Sequence, residues 1–337
     1  MPQFLFSRSL IVAVVLCLAP APAVSATTGT SAVTLGAYVS GAPWKPARLD
    51  RFARLVGRMP GIVMWYQDWG SPGVRDFNVK MMNAVVRRGA TPMVTWDPWR
   101  WKDGPLQPSY APARIAAGEF DAYIRRWGRA ARSWGKTFYL RFAHEMNAAY
   151  YPWGVGNNGN TAADFVAAWR RVVGIFRREK ATNVLFVWSP NVEFDGTAPF
   201  ASVYPGSRHV DVIAVDGYNW GASVSWHSWQ SFTGLFGASY DKLARLDARK
   251  PMMIAETAST ELGGNKASWI RNAFLREIPA RFPRIGAVIW FHEDKETDWR
   301  VNSSSAALAA YRKVVASSGY VSPTTTGGQG KWQVSDR

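Results

Sequence analysis

Cysteine is almost absent from this sequence: a single one, Cys17, occurs in 337 residues. It lies inside the apolar run Leu10 to Leu18 near the N-terminus, so a chain without that run has no cysteine at all. Such a chain cannot form disulfides, thiolate metal sites or a cysteine nucleophile. We therefore expect the rest of the protein to be stabilised by its hydrophobic core.

Long apolar runs are also scarce, and the only one lies at the extreme N-terminus, which excludes a polytopic membrane protein. One basic residue, Arg8, precedes this run, and small residues follow it as far as Ala26. The arrangement predicts a secretory signal peptide over residues 1–26, cleaved after Ala26. Because the run is too short to cross ~30 Å of hydrocarbon, we expect a secreted protein without a membrane anchor.

Charged residues make up only 19% of the chain, but 40 Lys and Arg against 24 Asp and Glu give a net charge of +16. A positive net charge of this size is typical of proteins that bind nucleic acid. Its densest clusters, however, lie on predicted outer helices without interleaved aromatic rings, which is typical of a solvated helix face. We therefore expect no nucleic-acid partner. The clustered residues are Arg125, Arg126, Arg129, Arg132, Arg170, Arg171, Arg177 and Arg178.

Large aromatic side chains are abundant, with 18 Trp, 12 Tyr and 17 Phe, which excludes a disordered chain. Short β-branched or aromatic runs alternate with segments of helical spacing. Strands are predicted over residues 34–39, 62–66, 92–96, 137–143, 184–188, 211–215, 252–256 and 286–291. Helices are predicted over residues 46–57, 74–89, 113–134, 161–179, 226–247, 267–282 and 303–317, with a short, weakly helical connection over 197–204.

Strands that alternate with helices pair in parallel, with the helices outside the sheet. Eight such units over about 290 residues fit a (β/α)8 barrel, the TIM-barrel fold, whose usual size is ~250 residues. An open doubly wound sheet is the alternative, but no predicted strand is followed by a glycine-rich phosphate turn. We predict one barrel domain over residues 27–321, a flexible tail over residues 322–337, and a monomer.

Two glutamates directly follow apolar or buried strand residues: Glu145 after the fourth predicted strand and Glu256 at the end of the seventh. A carboxylate at that depth is costly unless it is paired or used in chemistry. In a barrel both lie at the C-terminal mouth, where a facing pair can hydrolyse a glycosidic bond. One carboxyl protonates the leaving oxygen and the other attacks the anomeric carbon. The alternative is a structural ion pair, such as Glu145 with Arg141.

The segment Arg141 to Asn147 (RFAHEMN), followed by Tyr151 to Gly154 (YPWG), resembles the fourth-strand motif of family 26 glycoside hydrolases. Further matches span nearly all of the chain after residue 26, in the same order: Trp65 to Trp69, Val215 to Trp220, Ile254 to Thr257 and Trp290 to Arg300. The sequence departs from the common family pattern at Ala148, where Gly is frequent, and at Tyr150, where Trp is frequent. Neither departure touches the glutamates, so both bear on the substrate.

The resemblance implies roles for particular residues. Glu145 is expected to be the general acid/base and Glu256 the nucleophile of a retaining mechanism, with carboxyl groups about 5–5.5 Å apart. Tyr218 is expected to hydrogen-bond the nucleophile, and His144 to orient the acid/base. The expected supporting residues are His144, Tyr218, Asn147 and Arg141. Rings and acids near the strand ends complete the expected substrate-binding set, which is Trp153, Trp290, Trp96, Trp65, Trp220 and Asp68.

No metal or cofactor is expected. His144 and Glu145 open like the HExxH zinc motif, but Ala148 stands where the second histidine is needed, and no Gly-x-Ser-x-Gly elbow indicates a serine hydrolase. The resemblance implies a β-linked polysaccharide as the partner and an endo-acting enzyme that cuts β-1,4-mannan. Mixed-linkage β-1,3-1,4-glucan is the alternative substrate. A non-hydrolytic polysaccharide-binding barrel is the alternative outside enzymes, although such a protein does not need two costly glutamates.

Overall fold

Eight parallel strands close into a barrel in this computed structural model, which describes residues 32–321. The strands are β1 (Val33–Val39), β2 (Ile62–Asp68), β3 (Thr91–Asp97), β4 (Phe138–Phe142), β5 (Val184–Trp188), β6 (Val212–Asp216), β7 (Met252–Thr257) and β8 (Ile285–His292). Because β1 pairs with both β2 and β8, the sheet closes on itself. A short strand, β9 (Tyr320–Val321), pairs with the start of β1. The predicted (β/α)8 barrel is confirmed.

Helices connect the strands on the outside of the barrel. They are α1 (Ala47–Val56), α2 (Val79–Val86), α3 (Pro112–Ala117), α4 (Asp121–Trp134), α5 (Ala162–Arg178), α6 (Phe200–Val203), α7 (Phe232–Leu246), α8 (Lys266–Asn272), α9 (Ile278–Arg281) and α10 (Ser305–Ala316), with a π-helical turn (Ala273–Glu277) between α8 and α9. The helix predicted over 113–134 is two helices, because Gly118 ends α3 with a left-handed φ of 100°. The helix predicted over 226–247 begins only at Phe232, where the Ser231 side chain caps it.

Two features predicted from the sequence lie outside the described residues: the signal peptide over 1–26 and the tail over 322–337. Both stay predictions. Within residues 32–321, no helix is long and apolar enough to cross a membrane.

Side chains of the strands alternate between the barrel interior and the layer between strands and helices. The interior cluster consists of Ile62, Met64, Met93, Tyr139, Val187, Val212, Ala214, Met253, Ala255, Ala287 and Ile289. The outer layer is larger and contains many big rings, among them Trp65, Trp96, Trp127, Trp169 and Trp290. The position of a residue in this alternation therefore decides whether its side chain can reach the mouth of the barrel.

Several basic residues of the outer helices have acidic or backbone partners. Asp121 of α4 accepts hydrogen bonds from Arg125 Nη2 at 2.8 Å and from Arg171 Nε of α5 at 2.6 Å. Arg170 Nε donates to the carbonyl of Pro205 at 2.9 Å. Partly exposed ion pairs of this kind contribute at most about 1 kcal/mol each, so they join neighbouring helices without dominating the stability of the barrel.

Candidate active site

Glu145 lies on a sharp turn that follows β4. Two residues of this turn, Ala143 and Glu145, have left-handed φ angles of 47° and 52°, a conformation that costs a non-glycine residue about 1–3 kcal/mol. The turn is fixed because Glu145 N donates to the Ser189 carbonyl at 2.7 Å and Ala143 N donates to the Trp96 carbonyl at 3.2 Å. These bonds to the ends of β5 and β3 hold Glu145 at the mouth of the barrel.

Glu256 reaches the barrel interior because β7 contains a bulge. Met253 faces the interior, and strict alternation from it would turn Glu256 toward the helices. The register against β6 shifts at Asp216, whose partner is Glu256, and this leaves Ala255 as an extra residue. Such a bulge re-aims the side chains that follow it. Glu256 consequently points into the barrel beside Asp216.

Arg141 of β4 is fully buried and links three other strands. Its Nε donates to Thr95 Oγ1 of β3 at 2.8 Å, and its Nη1 donates to Asp216 Oδ2 of β6 at 2.8 Å. Its Nη2 donates to Glu256 Oε1 of β7. The alternative ion pair of Arg141 with Glu145 is therefore corrected: the cation pairs with the other glutamate. Removing one partner of a buried pair costs ~3–5 kcal/mol, so this arginine fixes both the fold and the charge of Glu256.

Two tyrosines complete the surroundings of the Glu256 carboxylate. The hydroxyl of Tyr66 donates to Oε1 and the hydroxyl of Tyr218 donates to Oε2, both at 2.6 Å. Burial alone would raise the pKa of Glu256, but the positive charge of Arg141 and these two hydrogen bonds lower that pKa to about 2. Glu256 is therefore an anion at mildly acidic and neutral pH.

Glu145 has a different environment, in which an amide supplies its hydrogen bond. Asn191 Nδ2 donates to Glu145 Oε1 at 2.8 Å. Asn147 clamps Asn191, since its Nδ2 donates to the Asn191 carbonyl at 3.0 Å and its Oδ1 accepts from Asn191 N at 2.9 Å. Burial raises the pKa of Glu145, and the negative charge of Glu256 raises it further. The pKa values of the two glutamates thus shift in opposite directions.

His144 is fixed beside Glu145 by its neighbours. Its Nδ1 lies 3.1 Å from Asp97 Oδ1, and its backbone carbonyl accepts a hydrogen bond from Trp153 Nε1 at 2.6 Å. The ring of Tyr151 lies 4.7 Å from the imidazole, centroid to centroid. The structure thus brings together the four expected supporting residues, His144, Tyr218, Asn147 and Arg141, around the two glutamates.

Four of the six residues that were expected to bind substrate are buried tryptophans. Trp65, Trp96 and Trp290 stand at outward positions of β2, β3 and β8, with exposed fractions of 1%, 0% and 0%. Trp153 has an exposed fraction of 0% and stacks behind Tyr151, with ring centroids 4.7 Å apart. A ring without exposed surface cannot stack on a sugar. The expectation is corrected for these four residues, which pack the core.

Asp68 and Trp220 are the other two residues of that set. The Asp68 carboxylate accepts hydrogen bonds from Ser71 N and Ser71 Oγ, both at 2.7 Å, and from Trp101 N at 3.3 Å. Asp68 therefore orders the loops after β2 and β3, and its expected role in binding stays a prediction. Trp220 is partly exposed and lies 5.4 Å from the exposed ring of Trp226. Its role in substrate binding stays a prediction.

Sequence reasoning gave no role to Tyr66, Asn191 or Asp216. Tyr66 and Asp216 stand at inward positions of β2 and β6, in phase with Met64 and Ala214 of the interior cluster, and this alternation is a signal that could have found them. Burial raises the pKa of Asp216 well above its usual range, although Arg141 opposes the rise. Asn191 lies in a loop beyond β5, where no periodicity indicates the direction of a side chain.

A cavity of about 450 Å³ opens at the ends of β1 and β8. Its lining includes Arg48, Phe52 and Glu293, but neither of the two mouth glutamates. Tyr38 separates the cavity from the carboxylates: its hydroxyl donates to Glu293 Oε2 at 3.0 Å, and its ring lies 5.3 Å from that of Tyr66. The cavity therefore lies beside the carboxylate site, between α1 and the ends of β1 and β8.

The model of glycosyl hydrolase family 26 matches residues 137–316, which is more than half of the chain. The chain belongs to this family. Membership places it among the glycoside hydrolases and confirms the resemblance carried by the strand-end motifs.

Two curated relatives illustrate the range of the family. Endoglucanase H of Acetivibrio thermocellus is 40% identical over 300 residues, which cover 87% of this chain and 31% of the relative. Mannan endo-1,4-beta-mannosidase A and B of Caldalkalibacillus mannanilyticus is 31% identical over 155 residues, which cover 44% of this chain and 27% of the relative. The chain thus spans about a third, or less, of the length of these two proteins.

Solved structures show the same fold. The catalytic domain of the Bacillus sp. JAMB-750 endo-beta-1,4-mannanase superposes with a TM-score of 0.69 and 18% identity, over 90% of this chain and 91% of that chain. The beta-mannanase of Bacteroides ovatus superposes with a TM-score of 0.62 and 16% identity, over 87% and 91% of the two chains. At these identities the likeness establishes the barrel fold.

Proposed function

We propose that the protein is a retaining endo-β-glycanase in which Glu256 is the nucleophile and Glu145 the general acid/base. One observation carries the assignment: two buried carboxyls share the barrel mouth, and their surroundings shift their pKa values in opposite directions. Carboxyls separated in this way are suited to different roles, because the ionised one can attack while the protonated one donates.

In the first step, the Glu256 carboxylate attacks the anomeric carbon of the sugar and the bond from that carbon to the glycosidic oxygen breaks. The Glu145 proton passes to the departing oxygen, which leaves as a hydroxyl. Glu256 is then an ester of the sugar and Glu145 is ionised. In the second step, Glu145 takes a proton from water, whose oxygen displaces Glu256 from the anomeric carbon. The configuration of the sugar is retained, and both glutamates return to their starting states.

The proposed substrate is a β-glucan, with mixed-linkage β-1,3-1,4-glucan as the first candidate. This reverses the order given by the sequence motif, and the support is the extent of the matches. The relative named as an endoglucanase matches 87% of this chain, whereas the mannosidase of Caldalkalibacillus mannanilyticus matches 44%. The departures at Ala148 and Tyr150 lie in the loop beside the acid/base, where they can alter the choice of sugar.

β-1,4-Mannan is the second candidate, supported by the relatives and solved structures named as mannanases. Endo action is proposed for either backbone because two exposed rings lie on the loops that follow β4 and β5. Tyr150 and Phe194, exposed by 50% and 45%, stack with centroids 5.9 Å apart. These two rings offer surface to a polysaccharide chain that extends beyond the acid/base.

The decisive experiment is a product analysis on mannan, galactomannan, glucomannan, barley glucan, β-1,3-xylan and cellulose. We expect short oligosaccharides from barley glucan, with β-anomeric products in the first minutes of the reaction as seen by proton NMR. Faster release from mannan would assign the second candidate. Initial α-anomers would contradict the retaining mechanism. Binding to a polysaccharide without cleavage of any of the six would contradict the enzyme and favour a binding barrel.

We further propose that the protein is exported and acts as a monomer. The support for export is the pattern of residues 1–26, and the test is N-terminal sequencing of protein recovered from the medium. A first residue of Thr27 is expected. Retention of the intact N-terminus in the cell would contradict export, and a particle twice the monomer mass in light scattering would contradict the monomer.

A further inference from the structure

Lys266, the first residue of α8, is a lysine without exposed surface. Burying an ammonium group is costly unless hydrogen-bond acceptors replace its water. Its Nζ donates to the backbone carbonyls of Asp298 at 2.9 Å and Arg300 at 2.8 Å. Burial lowers the pKa of Lys266 to about 8, so the side chain keeps its charge at neutral pH while it holds this loop.

A second buried side chain binds the carbonyl between those two. Trp290 Nε1 donates to the carbonyl of Trp299 at 2.9 Å. Three successive carbonyls of the loop between β8 and α10, those of residues 298–300, therefore accept hydrogen bonds from the buried side chains of Lys266 and Trp290. Connecting loops are usually the more mobile parts of a fold, whereas this one is fixed at three consecutive residues.

The fixed loop places Trp299 against the tyrosine that binds Glu256. The Trp299 ring is 1% exposed and lies 5.1 Å from the ring of Tyr218. It also lies 4.8 Å from the ring of Trp220, which packs on the same tyrosine. The Tyr218 hydroxyl donates to Glu256 Oε2 at 2.6 Å. Packing thus connects the loop backbone to a hydrogen bond of the carboxylate.

We propose that Lys266, assisted by Trp290, is a positioning residue: by fixing residues 298–300, it seats Trp299 against Tyr218 and so aims the Tyr218 hydroxyl at Glu256. The role in catalysis rests on the proposed function of Glu256 as nucleophile. A misplacement of about 1 Å at a reacting group can lower a rate roughly 10²-fold. Lys266 therefore affects the rate although it does not contact the Glu256 carboxylate.

The kinetic test is a double-mutant cycle of Lys266→Met and Tyr218→Phe on the polysaccharide that the wild type cuts fastest. Each single substitution is expected to lower kcat roughly 10- to 100-fold, with a smaller change in KM. If Lys266 acts through Tyr218, the double variant has about the kcat of Tyr218→Phe alone, because the two losses share one contact. Full multiplication of the two losses would overturn the inference.

Two matched controls separate positioning from a general loosening of the barrel. Ser303→Ala removes a different hydrogen bond between the segments that follow β7 and β8, the 2.7 Å bond from Ser303 Oγ to Glu261 Oε1. This variant should keep a kcat near that of the wild type. Lys313→Met makes the same substitution on the exposed side of α10. If Lys266→Met does not fold, Trp290→Phe, which removes a single donor, enters the cycle in its place with a smaller expected loss.

A titration of Glu256 tests the inference without turnover. The carboxyl carbons of labelled glutamate are followed by NMR, with Glu256 assigned from Glu256→Gln. Because the Tyr218 hydrogen bond lowers the pKa of Glu256, Lys266→Met should raise that pKa in the same direction as Tyr218→Phe. An unchanged titration in a folded Lys266→Met variant would overturn the positioning role. A shifted titration in a protein that cuts no β-glycan would instead contradict the proposed function alone.

Discussion

The surroundings of the two glutamates differ although both lie buried at the same mouth. Glu256 receives hydrogen bonds from Arg141 and two tyrosines, all of which favour its anion. Glu145 receives one from the amide of Asn191, and burial favours its neutral form. One guanidinium and two tyrosine hydroxyls on one side of the mouth, together with burial on the other, thus divide two chemically identical side chains into an acid and a base.

The backbones that carry the two glutamates differ as well. Glu145 depends on left-handed φ angles in a turn after β4, whereas Glu256 depends on a bulge inside β7. Irregular backbone of these kinds concentrates at functional sites because it aims a side chain where regular alternation does not. The turn after β4 and the bulge in β7 must both be present for the two carboxyls to contact the same substrate.

The largest effect is expected when the Glu256 carboxylate is removed. Glu256→Ala should lower kcat roughly 10⁵- to 10⁶-fold, as removal of a nucleophile does in other covalent mechanisms. Initial rates on the preferred polysaccharide measure this loss. Glu277→Gln, a change in the outer layer where the carboxylate accepts from Thr233 N, is the control and should keep most of the activity. Near-wild-type hydrolysis by Glu256→Ala would refute the assignment of the nucleophile.

Removal of the acid should have a smaller and more selective effect. Glu145→Ala is expected to lose roughly 10²- to 10⁴-fold on polysaccharide, but far less on aryl glycosides whose leaving group needs no proton. Because the raised pKa of Glu145 governs the loss of activity at high pH, the variant should also lack the basic limb of the kcat/KM profile. Equal losses on both substrate types would contradict the acid role.

Arg141→Met should reduce the difference between the two surroundings and weaken the fold. The loss of unfolding free energy is expected to be ~3–5 kcal/mol, because it leaves buried carboxyls without their cation. The low folded pKa of Glu256 stabilises the protein above the ordinary value of 4.5 and ceases to do so as pH falls toward about 2. The deficit measured by urea unfolding should therefore be larger at pH 7 than at pH 3.

The control for this variant is Arg125→Met, which removes the partly exposed pair with Asp121. It should cost less than about 1 kcal/mol. A deficit of Arg141→Met that is the same at pH 3 and pH 7 would show that the arginine does not hold the charge of Glu256.

The smallest effect is expected at the amide beside Glu145. The hydrogen bond from Asn191 lowers the pKa of Glu145 against the effect of burial, so Asn191→Ala should move the basic limb of kcat/KM to higher pH. The rate should fall about tenfold, which corresponds to ~1.4 kcal/mol. Asn302→Ala, at an exposed position, is the control. A shift of the acidic limb instead would mean that Asn191 acts on Glu256.

The fold was predictable from the sequence because its signals are local. The predicted strand over 184–188 coincides with β5 (Val184–Trp188), and the predicted strand over 252–256 differs from β7 by one residue. The irregular features were not predictable. The break at Gly118 needs a left-handed glycine inside a continuous helical pattern, and the bulge at Ala255 is visible only in the pairing with β6.

The site residues that belong to a sequence motif were predictable, but the direction in which a side chain points was not. Glu145, Glu256, His144 and Tyr218 lie together as expected. The prediction that Trp290 binds substrate is wrong, because nearness to a strand end does not show which face of the sheet a side chain occupies. Trp290 stands at an outward position of β8 and packs in the layer between the strands and the helices. The cation of Arg141 was expected near Glu145, but its partners come from strands far away in sequence, which no spacing reveals.

The most direct test of the account is the protonation state of both glutamates in one sample of the wild type. Carbon-13 NMR of labelled carboxyl groups, recorded at pH 4.5, the ordinary pKa of a glutamate, reports each state, with assignments from Glu145→Gln and Glu256→Gln. The account predicts that Glu145 is mainly protonated and Glu256 ionised. Finding both ionised, or Glu256 as the protonated partner, would contradict the division into acid and nucleophile.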